Sequence, residues 1–201
     1  MKNKNLLIAV AAIVVVALGV YRFFVGNYNT IVTYDENVEA QWAQVQNQYQ
    51  RRQDLIPNLV ATVKSYAEYE SGTLTAVVEA RAKATQVTLD AENLTEENLK
   101  AFQAAQDEMS GALSRLLVTV EQYPDLKANQ NYLDLQSQLE GCENSISNAR
   151  RQFNEAVQDY NTFIRMFPTN LIAKLFGFDK KPYFEASEGA EKAPDVKGLF
   201  E

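Results

Sequence analysis

The stretch that decides the fold is YLDLQSQLEGCENSISNARRQFNEAVQDYNTFIRMF, residues 132–167. Tyr132, Leu135, Leu139, Cys142, Ile146, Ala149, Phe153, Ala156, Tyr160, Phe163 and Phe167 recur in it at spacings that alternate between three and four. That is the period of one helix face, sustained for about five heptads. An apolar seam of this length needs a cover of other helices or of further copies of itself. The rest of the chain supports an all-α reading. Alternating apolar and polar runs bounded by turn residues, the signal of strands, are missing. Glycine and proline number only 8 and 5 in 201 residues.

The composition narrows the function. Charged residues make up 22% and apolar ones 46%, as in an ordinary globular protein long enough to build a core. A net charge of −7 argues against nucleic acid as a partner, because such binders carry a basic face. The chain has no histidine and a single cysteine. Cys142 cannot form an internal disulfide, and its place in the seam reads as a small apolar core residue rather than a reactive thiol.

Leu6 to Val20 holds fifteen residues without a charge or a strongly polar group. As a helix it spans about 22 Å, short of the roughly 30 Å of a hydrocarbon core. Extending it through Tyr21, Arg22, Phe23, Phe24 and Val25 closes the gap. Arg22 then snorkels at the interface, with the aromatic residues in the same zone. The predicted anchor comprises Leu6, Leu7, Ile8, Ile13, Val14, Val15, Val16, Leu18, Val20, Phe23 and Phe24. A cleaved signal peptide is the rival reading, since Lys2, Lys4 and the apolar run imitate its first two regions; Ala17-Leu18-Gly19 makes a poor cleavage site. Lys2 and Lys4 precede the span, whereas Arg22 is followed by Asp35, Glu36 and Glu39. The positive-inside rule therefore puts the N-terminus in the cytoplasm and the large domain outside it. The expected localisation is the bacterial inner membrane, single-pass, with a periplasmic domain.

Beyond a weak joint at Gly26 and Asn27, a first amphipathic stretch carries Ile31, Tyr34, Val38, Trp42, Val45 and Tyr49. Asp54 to Pro57 reads as a breaker where the helix kinks or restarts, with Asp54 as its cap. The next stretch runs to about Val87 through Leu59, Val63, Tyr66, Leu74, Val77 and Val78. Leu89 to Thr95 reads as a loop. Thr95 caps a third helix, favoured by Glu96 and Glu97 at its positive end. Leu99, Phe102, Gln106, Met109, Leu113, Leu116 and Val120 mark its face, and it stops before Pro124. Pro168 ends the seam. The expected fold is all-α: an N-terminal transmembrane helix (1–27), then a long antiparallel four-helix bundle with coiled-coil-like packing (28–168). An apolar segment and a flexible tail complete it (169–201). Whether the first two stretches fold back or continue through a kink stays open.

Three blocks carry a resemblance. QRRQDLIPNLVATVKSYAEYE (Gln50–Glu70), EQYPDLKANQNYLDLQSQLEGCENSISNARRQFNEAVQDYNTFIRMFP (from Glu121) and NLIAKLFGF (Asn170–Phe178) resemble, in this order, the signature of the LemA family. The resemblance implies an N-terminal transmembrane helix and a helical bundle, but supplies no mechanism. It also implies an association with membrane proteases of the HtpX type. Tyr69 stands where many members have histidine, and Cys142 where many have a small polar residue. Some descriptions of the family place the short N-terminus outside the cell, against the charge argument above.

Chemistry is sparse. Arg51, Arg52 and Asp54 form the densest charge cluster near the breaker, either a partner site or a charge network that orients the kink. Arg150 and Arg151 flank the seam, and one should face solvent or an acid. Glu68, Glu70, Glu79 and Arg81 read as helix-surface pairing. The carboxylate pairs Glu96-Glu97 and Asp107-Glu108 lie on polar faces, not in a cleft that would separate their pKa values. A carboxylate metal centre in a bundle needs Glu-x-x-His pairs, which a chain without histidine lacks. No catalytic, cofactor or metal residues are therefore assigned. Leu171, Ile172, Leu175, Phe176 and Phe178, beside Lys174, Lys180 and Lys181, form an apolar cluster. It either closes the end of the bundle or contacts lipid or a neighbouring subunit; the surplus of apolar residues over a full core favours the second. The expectation is a non-enzymatic membrane-anchored scaffold that self-associates or docks partners, or else an accessory subunit of a membrane protease or signalling complex.

Overall fold

The computed structural model describes the backbone of residues 2–66 and 71–186. The side chain of Leu6, and Glu68, Tyr69, Glu70 and the chain from residue 187 onward, lie outside the described residues. The elements are α1 (Lys2–Lys64), α2 (Ser71–Gln86), a 3-10 turn (Ala91–Asn93), α3 (Glu96–Val120), the short α4 (Pro124–Lys127), α5 (Gln130–Arg165) and α6 (Thr169–Phe176). Among the described residues there is no strand.

The first correction concerns α1. It is one helix of 63 residues, about 95 Å long, without the joint expected at Gly26 and Asn27 or the break expected at Asp54–Pro57. At the first place, Asn27 Nδ2 donates to Phe23 O and Thr30 Oγ1 to Gly26 O, both within the same helix. At the second, Pro57 has no N–H to give to the carbonyl four residues back, that of Gln53. Arg81 of α2 supplies the missing donor: its Nε lies 3.1 Å from Gln53 O. Asp54 is exposed and caps nothing; it accepts from Gln50 Nε2 at 2.8 Å. The chain leaves the helix only after Lys64, so the second predicted stretch is divided between α1 and α2.

The other boundaries follow the local signals. Thr95 Oγ1 accepts from Asn98 N at 3.2 Å, and Glu96 and Glu97 occupy the first turn of α3. Pro124 opens α4, where a missing N–H costs nothing. Asn129 Oδ1 caps α5 through Tyr132 N at 3.1 Å. Gly177 ends α6 with φ +76°, a left-handed conformation that favours glycine, and the chain turns back there.

α5 runs antiparallel along α1: Arg52 meets Glu143 and Tyr34 meets Phe163, while at the two ends Tyr66, just past α1, meets Asn129, and Asn27 meets Thr169 at the start of α6. α2 and α3 form a second antiparallel pair, joined for example by Lys83 and Glu108. The seam of α5 is buried from Tyr132 to Tyr160, with Phe163 partly covered. Phe167 departs from it. α5 ends at Arg165, so this ring is no longer on the helix face and is 81% exposed. Tyr66 and Val78 are also exposed. The helix turns out after Lys64, and α2 buries Leu74, Val77, Ala80 and Ala84 instead.

The buried apolar residues form two clusters. One holds Trp42, Tyr49, Phe102, Phe153, Tyr160 and Phe184 among others. The second is mostly aliphatic, with Ile56, Leu59, Val77, Met109, Leu116, Leu126 and Leu139. A further correction concerns the tail. Residues 178–186 are not a free end but an extended strap laid on α5. Asn161 Nδ2 donates to Lys181 O and Asn161 Oδ1 accepts from Lys181 N, at 2.8 and 2.9 Å. Asn154 repeats this with Phe184, at 3.0 and 2.9 Å. Seven residues of helix rise about 10.5 Å and three extended residues span about 10 Å, so the two asparagines match the strap's spacing.

Candidate functional site

Three regions could carry function: the apolar face of α1, a buried arginine at mid-length, and the end of the domain where α1 enters it. On α1, Leu7, Ile8, Ile13, Val14, Val15, Val16, Leu18, Val20, Phe23 and Phe24 are all exposed. This part of the helix is long and apolar enough to cross a membrane, and none of its apolar window is buried in the domain. Large aliphatic side chains in water would each forfeit about 1.5–3 kcal/mol of transfer free energy, so this surface calls for a nonaqueous cover.

The sequence grouped Arg51, Arg52 and Asp54 as a charge cluster; the structure separates them. Arg51 and Asp54 face solvent, while Arg52 is 1% exposed. Its Nη1 donates to Ser110 Oγ at 2.7 Å and to Glu143 Oε1 at 2.8 Å. Its Nη2 donates to Gln106 Oε1 at 2.7 Å and to Gln106 O at 3.2 Å. The guanidinium also lies 5.2 Å from the Tyr49 ring centroid. One side chain of α1 thus holds α3 and α5 in register. Arg52 is the buried partner and Glu143 is half-exposed, so a wrong register would leave the buried guanidinium without its acceptors. The helix continues through Pro57, so this network does not mark a restart of the chain.

Cys142 is buried beside this layer, with Sγ 3.4 Å from Gln48 O. Burial, with Glu143 next to it, raises its thiol pKa, against the opposing pull of Arg52 and Arg51. A thiol held protonated is a poor nucleophile. Tyr160 is likewise buried, and its phenol is pushed well up by desolvation, then by Asp35 and Asp179. Both shifts point away from chemistry at neutral pH. Arg150 lies over the Phe184 ring at 4.6 Å and donates to Glu185 O, while Arg151 pairs with Glu155. Among the described residues, no group of three or more histidine, cysteine, aspartate or glutamate side chains is placed to hold a metal ion.

The third region lies where α6 crosses α1. The predicted cluster divides here. Ile172 is buried and Phe178 is packed against the aromatic core, so these two face the domain. Leu171, Leu175 and Phe176 are exposed. Phe176 and Phe178 both lean on Tyr28 of α1, at 4.9 and 5.6 Å between ring centroids. The strap clamp formed by Asn154 and Asn161 was not read from the sequence. Its only trace there is two asparagines seven apart, flanking the seam.

The sequence model of the LemA family matches residues 41–197, most of the chain. The chain belongs to the LemA family. The match takes in the Arg52 layer, α6 and the strap, and begins after the apolar half of α1. Among the similar proteins of known name, Magnetosome protein MamQ 2 of Paramagnetospirillum magneticum is 26% identical over 191 residues, covering 87% of this chain and 70% of the relative. Protein LemA of Metamycoplasma hominis is 25% identical over 175 residues, covering 87% and 76%. Magnetosome protein MamQ of Magnetospirillum gryphiswaldense is 26% identical with the same shares as the first. The family assignment names no reaction for this chain.

Proposed function

We propose that this LemA-family chain is a membrane-anchored, non-enzymatic scaffold that self-associates or docks partner proteins. It is read as a single-pass protein of the bacterial inner membrane with its domain on the periplasmic side. The domain works as a long antiparallel four-helix bundle with coiled-coil-like packing, made of the later part of α1 with α2, α3 and α5. One observation carries the reading: α1 passes without interruption from an exposed apolar segment into a packed domain. A helix built this way fixes a surface at a set height and leaves its flanks for partners. The buried thiol and phenol, both held protonated, and the mid-length arginine, spent on register, fit a structural use of the interior. The charge difference across the apolar run supports the orientation.

Solubilisation of the full chain from membranes in mild detergent tests this. A large, homogeneous assembly of the chain with itself supports the scaffold. Stoichiometric recovery of a membrane protease would favour the second reading, an accessory subunit, which the family resemblance motivates. A monomer that retains no partner would overturn both. Protease added to intact spheroplasts should digest the domain; digestion only after lysis would reverse the orientation.

A further inference from the structure

The end of the domain next to the apolar segment carries a second apolar surface that the span does not explain. Met166, Phe167, Leu171, Leu175 and Phe176 are all exposed and belong to one short region, the end of α5 and α6. Among the described residues, and apart from Tyr28, which borders this region, the other large apolar residues exposed beyond the span, Tyr66, Val78, Val118, Leu133 and Tyr183, sit singly on five different segments. Single exposed apolar residues are ordinary, whereas a contiguous group marks a contact surface. Within α6, Thr169, Ile172 and Ala173 face the domain. Leu171 and Leu175, one turn apart, are 61% and 69% exposed on its outward side. The helix is therefore apolar on both sides, more than its own domain can use.

Its height identifies the cover. α6 is fixed to α1 at Asn27 and Tyr28: Thr169 Oγ1 lies 3.1 Å from Asn27 Oδ1, and the Phe176 ring lies 4.9 Å from that of Tyr28. Tyr28 is three residues past Val25, where the apolar segment ends, which is about 4.5 Å along the helix. The headgroup zone adds about 5–7 Å to each side of a hydrocarbon core. A span that ends at Val25 therefore places α6 inside that zone. The charges agree. Arg22, Arg165, Lys174 and Lys180 are exposed at this end, against Asp179. Long cationic side chains at that depth reach lipid phosphates while their stems stay in the apolar layer.

We infer that α6, with Met166 and Phe167 before it, is an interfacial foot that beds Phe167, Leu171 and Leu175 into the lipid surface around the span. The inference deepens the proposed function and rests on its reading of α1 as membrane-spanning. Two anchoring points, the span and the foot, fix the rotation of the domain about α1, which a lone span leaves free.

The test uses the full chain with Cys142→Ser as background, reconstituted into phosphatidylcholine vesicles containing phosphatidylglycerol. Nitroxide labels are attached singly at Leu175→Cys, Val15→Cys and Val118→Cys, all exposed positions. Collision with oxygen is then compared with collision with a water-soluble nickel chelate. Val15 should read as deep in the bilayer, Val118 as aqueous and Leu175 as shallowly immersed, with its nickel collision rate several-fold below that of Val118. Val15 immersed with Leu175 as aqueous as Val118 would overturn the foot and leave the span standing. Val15 aqueous would overturn the span and the foot with it. Protection of Leu175 from both reagents, with label-to-label distances that vanish on dilution with unlabelled protein, would assign the surface to a second copy and overturn the lipid contact. Leu171→Ser with Leu175→Ser should leave the melting temperature in detergent within about a degree or two, as expected of exposed positions; a large drop would place these side chains in the core and overturn the foot.

Discussion

The two halves of the core are built differently. Near the apolar segment, rings dominate: Trp42 lies 5.4 Å from Phe102, 5.5 Å from Phe153 and 6.0 Å from Phe184, and Tyr49 lies 5.2 Å from Phe102. Away from it, aliphatic residues and the small Ala80, Ala84 and Ala112 do the packing, and Tyr132 is the one buried ring in that cluster. Helix supply explains the difference. α2 ends at Gln86 and α3 starts at Glu96, beside Tyr49 and Trp42 of α1. Among the described residues, beyond that level α1 and α5 have the loop, α6 and the strap to cover them. Large rings span the wider gaps, and Trp42 Nε1 finds Leu89 O at 2.8 Å in the loop. The Arg52 layer, with Gln106 and Glu143, lies between the two clusters.

The comparison breaks first at Phe153, which is fully buried where helices are fewest. Phe153→Ala should cost about 3–5 kcal/mol in a urea titration, since little remains nearby to collapse into the void. A loss below 1 kcal/mol would show that the rings are dispensable filler. At the boundary, Arg52→Ala should cost about 2–3 kcal/mol. It removes charge-assisted hydrogen bonds to Ser110, Gln106 and Glu143, but Glu143 is 43% exposed and can rehydrate. Arg52→Lys should recover little of this, because one ammonium cannot serve both helices with the fork geometry of the guanidinium. Full recovery would mean that charge alone matters at this level.

Each strap asparagine should matter less. Asn154→Ala or Asn161→Ala is expected to cost about 1–2 kcal/mol and to raise amide exchange at Phe184 or Lys181, with exchange in the distal half unchanged. Uniform exchange changes along the domain would deny the strap a separate stability. In the distal half, Arg81→Met should cost about 0.5–1.5 kcal/mol by orphaning Gln53 O. With Pro57→Ala, which restores a backbone donor to that carbonyl, the loss should shrink. Additivity of the two substitutions would disprove the link between them.

The smallest effect at neutral pH belongs to Tyr160→Phe, and alkali should reveal it. Tyr49, Tyr160 and Cys142 are neutral acids whose folded pKa values lie above the ordinary 10.0 and 9.0. Above those ordinary values the unfolded chain gives up protons that the folded chain keeps, so stability is full below about pH 9 and falls as pH rises beyond it. Tyr160→Phe should flatten that fall in melting curves taken between pH 9 and 11. An unchanged slope would show that the Tyr160 phenol ionises freely in the folded state.

The helical periods of α1, α3 and α5 were legible because each buries one stripe, and a stripe repeats in sequence. Thr95 and Pro124 marked boundaries because their effects are local. Pro57 misled for the opposite reason: the donor that rescues the helix, Arg81, lies 28 residues in sequence from the Gln53 carbonyl it serves. The Arg51, Arg52 and Asp54 cluster was visible as charge, but neighbours on a helix point in different directions, and only Arg52 points inward. The strap could not be read, since backbone groups hold it and any residue carries those. In the apolar cluster, composition gave its surplus, but the packing of α6 through Ile172 and Ala173 decided that Leu175 faces out, and the turn at Gly177 brought Phe178 in.

The unbroken α1 also makes the domain a lever. About 58 Å of helix lies between the end of the apolar segment and Lys64. With a rigid shaft, a tilt of about 20° in a bilayer sweeps the far tip sideways by about 20 Å. A change of membrane thickness that alters the tilt by about 5° would thus move the tip by about 5 Å. Anything held at the tip would sense the bilayer through the swing of the rod.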